Sequence, residues 1–310
     1  MDLSPLATYI AYGIIGLTGG VLGGMLGIGG GLIVIPALSI VFGDKGQHEY
    51  QAALMIAYIV VSASATVRNI RGGNIRTDCL LGLVPSSLAT ILIGVWLSNH
   101  LEAKVLTRLF SVFLLYVLSI ELRRIVRAYR GRGRRKVGLA ANLRAAIHDE
   151  SEEEPHLRRK VSLAASTFVG AIMGFFSGLL GVGGGAVAVP LQQQVCGLTL
   201  KESIATSTTA ILGTGLVGAI AKCISLHPGL LGDGIPGKFA HALAAEGVSA
   251  GGPEALRHAL SLAACLTPGA LVGGYLGASL TQRIRAFWIR LIFAAFVFAS
   301  ALKMSGIFSG

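Results

Sequence analysis

Two short runs of glycine are the residues of this sequence best suited to bind a ligand. The two runs lie 154 residues apart, and each ends five residues before a proline. The candidate binding residues are Gly29, Gly30, Gly31, Gly183, Gly184 and Gly185. Three consecutive glycines destabilise an α-helix by roughly 0.8–1 kcal/mol per residue relative to alanine, so each run predicts a break in a helix. A helix that begins after such a break presents free N–H groups and a partial positive charge, which suits an anion. Tight packing within a helical hairpin is the alternative interpretation.

Polar side chains within apolar segments are the next candidates to bind an anion. Ser62 lies in one apolar segment, Ser207 and Thr208 lie in another, and Gln193 follows the second glycine run. Their position beside the predicted breaks favours direct contact with an anion. Hydroxyl groups in helices also bond to carbonyls of their own helix, and that interpretation stays open.

Three further polar residues lie at the ends of the same two apolar segments. Arg68 and Asn69 end the first of them, and Lys222 ends the second. Together they predict a cationic vestibule that attracts anions towards the site. The alternative is that the long side chains only extend along the helix to reach the membrane interface.

Several classes of protein are disfavoured by what these apolar segments lack. A nucleotide-binding loop needs a strand before its glycines and a Lys-Ser/Thr pair after them, and neither pattern is present. The sequence has no HExxH motif, and its apolar runs hold no deep Asp or Glu of the kind that serves as a proton relay or cation site. We therefore expect no enzymatic activity, no catalytic residue, no metal site and no cofactor.

The composition indicates what kind of element must position these residues. Of 310 residues, 53% are hydrophobic and only 13% are charged, with a mean hydropathy of +0.70. A soluble domain carries roughly 25% charged residues, so the chain is predicted to be a membrane protein. The net charge of +11 comes largely from residues 123–160, which hold 12 of the 26 Lys and Arg residues. A basic stretch between apolar runs is typical of a cytoplasmic loop and argues against nucleic acid as a partner.

Hydrophobic runs predict ten membrane segments, at about 6–25, 28–42, 52–69, 78–98, 104–122, 161–180, 183–196, 203–222, 259–280 and 285–305. Most reach the roughly 20 residues that cross a bilayer, but the second and seventh are short and contain Pro36 or Pro190. Glycines and prolines match in order between the two halves, which indicates a duplication. Five segments per copy, an odd number, invert the second copy. The predicted fold class is an all-α polytopic membrane protein with two inverted five-segment repeats and Gly-rich broken helices.

The distribution of charge predicts the domain boundaries and the orientation. The first transmembrane repeat covers 1–122, a basic and then acidic cytoplasmic linker covers 123–160, and the second repeat covers 161–310 with an extracytoplasmic insertion at about 225–257. The loops with Arg76 and Arg283 fall on the same side as the linker, as the positive-inside rule requires, and both termini lie outside. A competing count of four crossings per repeat would place Arg283 outside.

Three stretches of sequence resemble one known family. GGMLGIGGGLIVIP, its second copy GLLGVGGGAVAVP, and KESIATSTTAI are similar to the TauE/SafE sulfite exporter family, also called the toluene sulfonate uptake permease family. The resemblance implies a membrane permease for sulfur-containing anions such as sulfite or organosulfonates, driven by the proton gradient. It also implies that the glycine runs and the hydroxyls near Ser207 line the pathway. The chain departs from the family in its linker and its insertion.

These observations predict a secondary transporter of small oxyanions in a bacterial-type inner membrane. Movement of the two repeats would open the binding site to each side of the membrane in turn. Its expected partners are a small inorganic or organic anion and membrane lipid, and a second copy of the chain is a further candidate partner. Two other hypotheses stay open. One is a passive anion channel with the same site, and the other is a non-transporting membrane scaffold or sensor that uses the basic linker.

Overall fold

The computed structural model describes residues 5–42, 47–102, 161–226 and 252–284, together with part of 105–123 and of 288–298. Almost all of the predicted linker 123–160, most of the predicted insertion 225–257, most of the predicted segment 285–305 and part of the predicted segment 104–122 lie outside the described residues. The proposed domain boundaries therefore stay predictions.

Eight helices have defined bounds, the described parts of 105–123 and 288–298 are also helical, and no described residue lies in a strand. The helices are α1 (Pro5–Leu26), α2 (Gly31–Phe42), α3 (Gln47–Arg71), α4 (Thr77–Asn99), α5 (Leu163–Leu180), α6 (Gly185–Val195), α7 (Leu200–Leu226) and α8 (Gly252–Arg283). Six of them are long and apolar enough to cross a membrane. The prediction of an all-α polytopic membrane protein is therefore confirmed at this level.

Helices α2 and α6 are too short to cross a bilayer. They have 12 and 11 residues, and each contains the proline that follows its glycine run, Pro36 or Pro190. At 1.5 Å per residue each helix is about 18 Å long, against roughly 30 Å of hydrocarbon. Both are buried along most of their length, so they occupy the interior between the six long helices.

Large apolar side chains cover the outside of the long helices. Leu81 is 73% exposed, Ile70 is 63% exposed and Leu163 is 62% exposed. An aqueous surface with so many exposed large apolar residues would be unfavourable, whereas lipid chains solvate it. The exposure pattern therefore supports the membrane assignment independently of helix length.

Rows of glycine bring α1 against α8. Along α1, Gly16, Gly20 and Gly24 meet successive positions of α8, and a Cβ added at Gly20 would lie 2.8 Å from the carbonyl oxygen of Ala270. The contacts advance in the same direction along both helices, so α1 and α8 run parallel. Only residues without side chains allow backbones to approach this closely.

The same arrangement joins α4 to α5. Gly170, Gly174 and Gly178 of α5 meet successive turns of α4, and a Cβ at Gly178 would lie 2.7 Å from the backbone nitrogen of Val95. These two helices are also parallel. Each glycine row thus packs tightly against a helix from the other half of the chain.

Helices α3 and α7 are antiparallel and cross the centre of the assembly. Gly215 of α7 meets Tyr58 of α3, and Lys222, further along α7, contacts His48 near the start of α3. Both helices are 50% or more buried over their most apolar stretch, as expected for the middle of a helical bundle. These two helices carry most of the predicted polar ligands.

One end of the assembly, here named the basic end, contains the loop at Arg76 and the ends of five helices, α3, α4, α5, α7 and α8. The guanidinium of Arg76 lies 3.4 Å from the carboxylate of Glu202, and the backbone N–H of Val161 donates to Asp78 at 3.1 Å. The side chain of Gln282 donates to the carbonyl of Arg68 at 3.3 Å, which places the end of α8 there too. Residue 161, which follows the predicted linker, is therefore next to the loop between α3 and α4.

Candidate functional site

Two loops connect the long helices to the short ones. The first glycine loop, residues 27–30, joins α1 to α2, and the second glycine loop, residues 181–184, joins α5 to α6. The residues with positive φ in these loops are Gly27, Gly29, Gly30, Gly181, Gly183 and Gly184, with angles from 68° to 85°. An L-residue in this left-handed region costs roughly 1–2 kcal/mol, so glycine is required at these positions for the chain to turn.

The two glycine loops touch each other in the interior. A Cβ added at Gly31 would lie 2.6 Å from the Cα of Val182, and a Cβ added at Gly185 would lie 2.7 Å from the Cα of Ile28. The start of each short helix therefore packs on the loop that precedes the other. All residues of both loops are buried.

The short helices begin at this contact. The N–H groups of Ile33 and Val34 bond to the carbonyl of Gly30, at 3.0 and 3.1 Å, and Val187 and Ala188 repeat the pattern on Gly184. The first N–H groups of a helix have no acceptor within it, so α2 and α6 each retain donors at the loop contact. Two helix N-termini thus meet where the two halves of the chain meet.

Side chains from α3 and α7 pack against the loops. The Cβ of Tyr58 lies 3.2 Å from the position of a Cβ at Gly29, and the Cγ2 of Ile211 contacts both Gly29 and Gly183. The hydroxyl of Ser207 donates to the carbonyl of Gly27 at 3.0 Å. Ser207 therefore contacts the first glycine loop directly, and its predicted contact with an anion stays a prediction.

The second glycine loop has a matching contact that the sequence did not suggest. The side-chain amide of Gln51 donates to the carbonyl of Leu179 at 3.4 Å, just before the loop, and its carbons pack on Gly181. Gln51 was missed because the predicted apolar segment began at residue 52. The sequence shows that Gln51 is polar, but its contact with Leu179, 128 positions away, depends on tertiary packing.

The remaining predicted hydroxyls have different environments. Thr208 bonds to the carbonyl of Ile204 in its own helix at 2.7 Å, which is the simpler of the two roles considered for it. Ser62 is fully buried, and its hydroxyl has no hydrogen-bond partner among the described residues. These environments therefore assign no anion contact to Thr208 or Ser62.

The glutamines after the second glycine run are split between the interior and the surface. Gln193 is half-buried and Gln194 is exposed, whereas Gln192 is fully buried. Both polar atoms of the Gln192 amide lack a partner within the described parts of the chain. Of the three, Gln192 is therefore the one available to a ligand inside the bundle, although the sequence favoured Gln193.

The structure does not bring the three predicted vestibule residues together. Arg68 donates to the hydroxyl of Ser279 at 3.2 Å at the basic end, and Asn69 is buried next to it in the chain. Lys222 is fully buried and contacts His48, at the other end of α3. About twenty residues of helix separate these two groups, or roughly 30 Å.

An ion pair or an equivalent contact lies at each end of the bundle. At the basic end Glu202, in the first turn of α7, pairs with Arg76 before α4. The hydrogen bond with Asp78 raises the pKa of Arg76 above its usual value. At the opposite end Glu49, in the first turn of α3, contacts the ring of His258 in α8. The two contacts hold matching pairs of helices together.

A small cavity adjoins the first glycine loop. It has a volume of about 10 Å³, and Gly29, Gly30, Leu54 and Leu266 are among its walls. That volume holds about one water molecule and not an oxyanion.

Comparisons with known proteins agree on one family. The model of the family described as Sulfite exporter TauE/SafE matches residues 12–304. The chain is 28% identical, over 96% of its length, to the probable membrane transporter protein MamO of Magnetospirillum gryphiswaldense, of which it covers 45%. It is 22% identical, over 97% of its length, to the probable membrane transporter protein YunE of Bacillus subtilis, of which it covers 100%. The chain thus spans about half the length of MamO and the whole of YunE. No solved structure matches it.

Proposed function

This chain belongs to the sulfite exporter TauE/SafE family, and we propose that it is a proton-gradient-driven secondary transporter of small sulfur-containing anions. In this proposal it is a multi-pass protein of a cell inner membrane. Sulfite and organosulfonates are the substrates to test first, because the resemblance to this family implies them.

The observation that carries the proposal is the contact between the two glycine loops. Two helix N-termini begin at that contact, and each presents N–H donors and the positive end of a helix dipole. Irregular backbone at membrane depth is tolerated only where protein buries it or where it lines a wet cavity. Broken helices that meet near the midplane are a recurrent way to bind an anionic group in secondary transporters.

Helix directions support two inverted repeats. Helices α3 and α7 occupy equivalent places in the two halves and run in opposite directions. Helix α4 begins at the basic end and α8 ends there, so this equivalent pair is also opposed. The position of Gln282 next to Arg68 supports the five-segment count over the count of four crossings. An inverted pair of repeats can exchange conformations, which is the geometric basis of alternating access.

Flux of sulfite into vesicles tests the proposed function. Purified protein in proteoliposomes is expected to accumulate sulfite against its own gradient when a pH gradient is imposed, and to lose that accumulation when the pH gradient is collapsed. Flux that follows only the sulfite gradient would make the protein a passive channel. Folded protein that moves neither sulfite, sulfonates nor sulfate would contradict transport and favour the scaffold hypothesis.

The contact of Ser207 with the first glycine loop gives a sharper test. Ser207→Ala leaves the buried carbonyl of Gly27 without its donor, which costs about 1 kcal/mol. If the loop must keep its geometry to bind the anion, flux should fall by roughly fivefold to tenfold, which corresponds to about 1 kcal/mol. The rate of sulfite uptake per folded molecule measures it.

Thr209→Val is the matched control for this substitution. It removes a hydroxyl from the same helix, but one that bonds only to the carbonyl of Ala205 at 2.9 Å. Uptake by this variant should stay within twofold of the unaltered protein. Equal uptake by the Ser207 and Thr209 variants would mean that the Ser207 contact has no part in transport.

A further inference from the structure

A lysine lies completely inside the helical bundle. Lys222 is in α7, four residues before the end of that helix, and its exposed fraction is 0%. Lysine is almost never fully buried unless its charge is compensated, because removal of an ammonium group from water is costly. From the sequence, Lys222 is either part of a cationic vestibule or extends along its helix to the membrane interface, and the structure encloses its side chain.

The three N–H bonds of the Lys222 ammonium are directed at three acceptors. Its Nζ lies 2.5 Å from the amide oxygen of Asn99, 3.1 Å from Nδ1 of His48 and 3.3 Å from the hydroxyl of Ser98. An ammonium group has three donors and no acceptor, so this arrangement fits the charged form of lysine. His48 then accepts through Nδ1 and carries its proton on Nε2.

These partners solvate the ammonium without neutralising it. Among the described residues no Asp or Glu forms an ion pair or a hydrogen bond with Lys222. Neutral dipoles replace the hydration shell only in part, and a buried cation is normally paired with an anion. Among the described side chains around Lys222, none supplies the negative charge that would complete this cluster.

The cluster is connected to the second glycine loop. The hydroxyl of Ser98 donates to the side-chain oxygen of Gln51 at 3.1 Å, and the amide of Gln51 donates in turn to the carbonyl of Leu179. Leu179 is in the last turn of α5, directly before that loop. A change in the position or charge of the Lys222 ammonium can therefore affect the second glycine loop through the side chains of Ser98 and Gln51.

We propose that Lys222 is the charged subsite of the transport pathway, where the substrate oxyanion binds as the counter-ion that no described side chain supplies. The inference rests on the proposed function. In the bound state one anionic oxygen takes the place of the Asn99 amide oxygen on Nζ, because a charged acceptor forms the stronger hydrogen bond. The ammonium keeps its contacts with the Ser98 hydroxyl and with Nδ1 of His48, so the cluster favours a small oxyanion.

Lys222→Met tests the charge directly. Methionine keeps much of the length of the side chain and removes the ammonium, so it should weaken sulfite binding roughly tenfold to hundredfold, as expected for a hydrogen bond to a charged group. Sulfite should raise the Tm of the unaltered protein in detergent and leave the Tm of the variant unchanged. The matched control is Lys201→Met, which removes an exposed charge from the first turn of the same helix and should bind sulfite normally.

Asn99→Asp tests the same idea without removal of the lysine. The new carboxylate replaces an oxygen that already lies 2.5 Å from Nζ, so it supplies the counter-ion from within the protein. This variant should fold, gain thermal stability without ligand, and lose the sulfite-induced rise in Tm. Sulfite uptake should fall at least tenfold in the same vesicles.

The outcomes separate this inference from the proposed function. Unaltered protein that transports sulfite, with Lys222→Met and Asn99→Asp variants of unchanged affinity and rate, would overturn the assignment of Lys222 and leave the transport proposal standing. Folded, unaltered protein that neither binds nor transports any of the tested anions would overturn both.

Discussion

Leucine in place of Gly184 is expected to abolish anion flux in reconstituted vesicles, and leucine in place of Gly30 is expected to do the same. Both glycines have positive φ, +68° and +85°, where a side chain strains the backbone. A Cβ at Gly184 would also lie 2.8 Å from the side chain of Met173, and one at Gly30 would lie 2.6 Å from the carbonyl oxygen of Gly19. The loop must therefore change its path, and the helix N-terminus that begins there moves with it.

Two other glycines of the chain provide controls for strain alone. Gly73 and Gly197 have nearly the same φ, +66° and +68°, but no atom lies within 4 Å of an added Cβ. Leucine at either position should cost only the roughly 1–2 kcal/mol of the left-handed backbone and leave uptake per folded molecule near normal. Sulfite uptake divided by the amount of monodisperse protein is the measurement. Full uptake by both the Gly30 and Gly184 variants would rule out the glycine loops as the binding site.

Leucine substitutions in the glycine rows are expected to destabilise the fold strongly. Leucine at Gly277 or at Gly178 should prevent α1 from packing on α8, or α4 on α5. A Cβ at Gly277 would lie 2.8 Å from the backbone nitrogen of Met25, so the whole leucine side chain has no room unless the helices separate. Overpacking of this kind typically costs 1–3 kcal/mol or more, and here it acts along an entire helix pair. The Tm in detergent and the yield of monodisperse protein should both fall.

Gly13 offers the matched control in α1. No atom lies within 4 Å of an added Cβ there, and the residue is in the helix interior. Replacement of a helical glycine by leucine gains up to about 1 kcal/mol in helix propensity, so Gly13→Leu should keep or raise the Tm. If Gly277→Leu and Gly178→Leu were as stable as Gly13→Leu, close contact of the glycine rows would not be needed for the fold.

The positions of the long helices could be predicted because they depend on local composition. Predicted segments at 78–98 and 161–180 correspond to Thr77–Asn99 and Leu163–Leu180. A hydrophobic run of about 20 residues is long enough to cross the bilayer whatever residues surround it. A glycine run disfavours a helix because of its own backbone entropy. Boundaries were less certain where polar residues are buried at helix ends, and this is how Gln51 was missed.

The composition of the site was partly foreseen, and its arrangement was not. Ser207 meets the first glycine loop, but Lys222 and Arg68, which the sequence grouped in one vestibule, lie near opposite ends of the bundle. A sequence shows that a polar residue ends an apolar segment, but it does not show which face of the helix carries it or which neighbour covers that face.

The sequence by itself determined that this is a helical membrane protein, where its long helices lie, and which glycines disfavour a helix, because hydropathy and backbone propensity are properties of neighbouring residues. Only the tertiary structure decided which helices pair and which polar groups meet. The contact of Lys222 with Asn99 joins residues 123 positions apart, and that of Gln51 with Leu179 joins residues 128 apart. Such contacts depend on how the glycine rows allow helices from different halves to pack, and that packing is decided by the whole bundle at once.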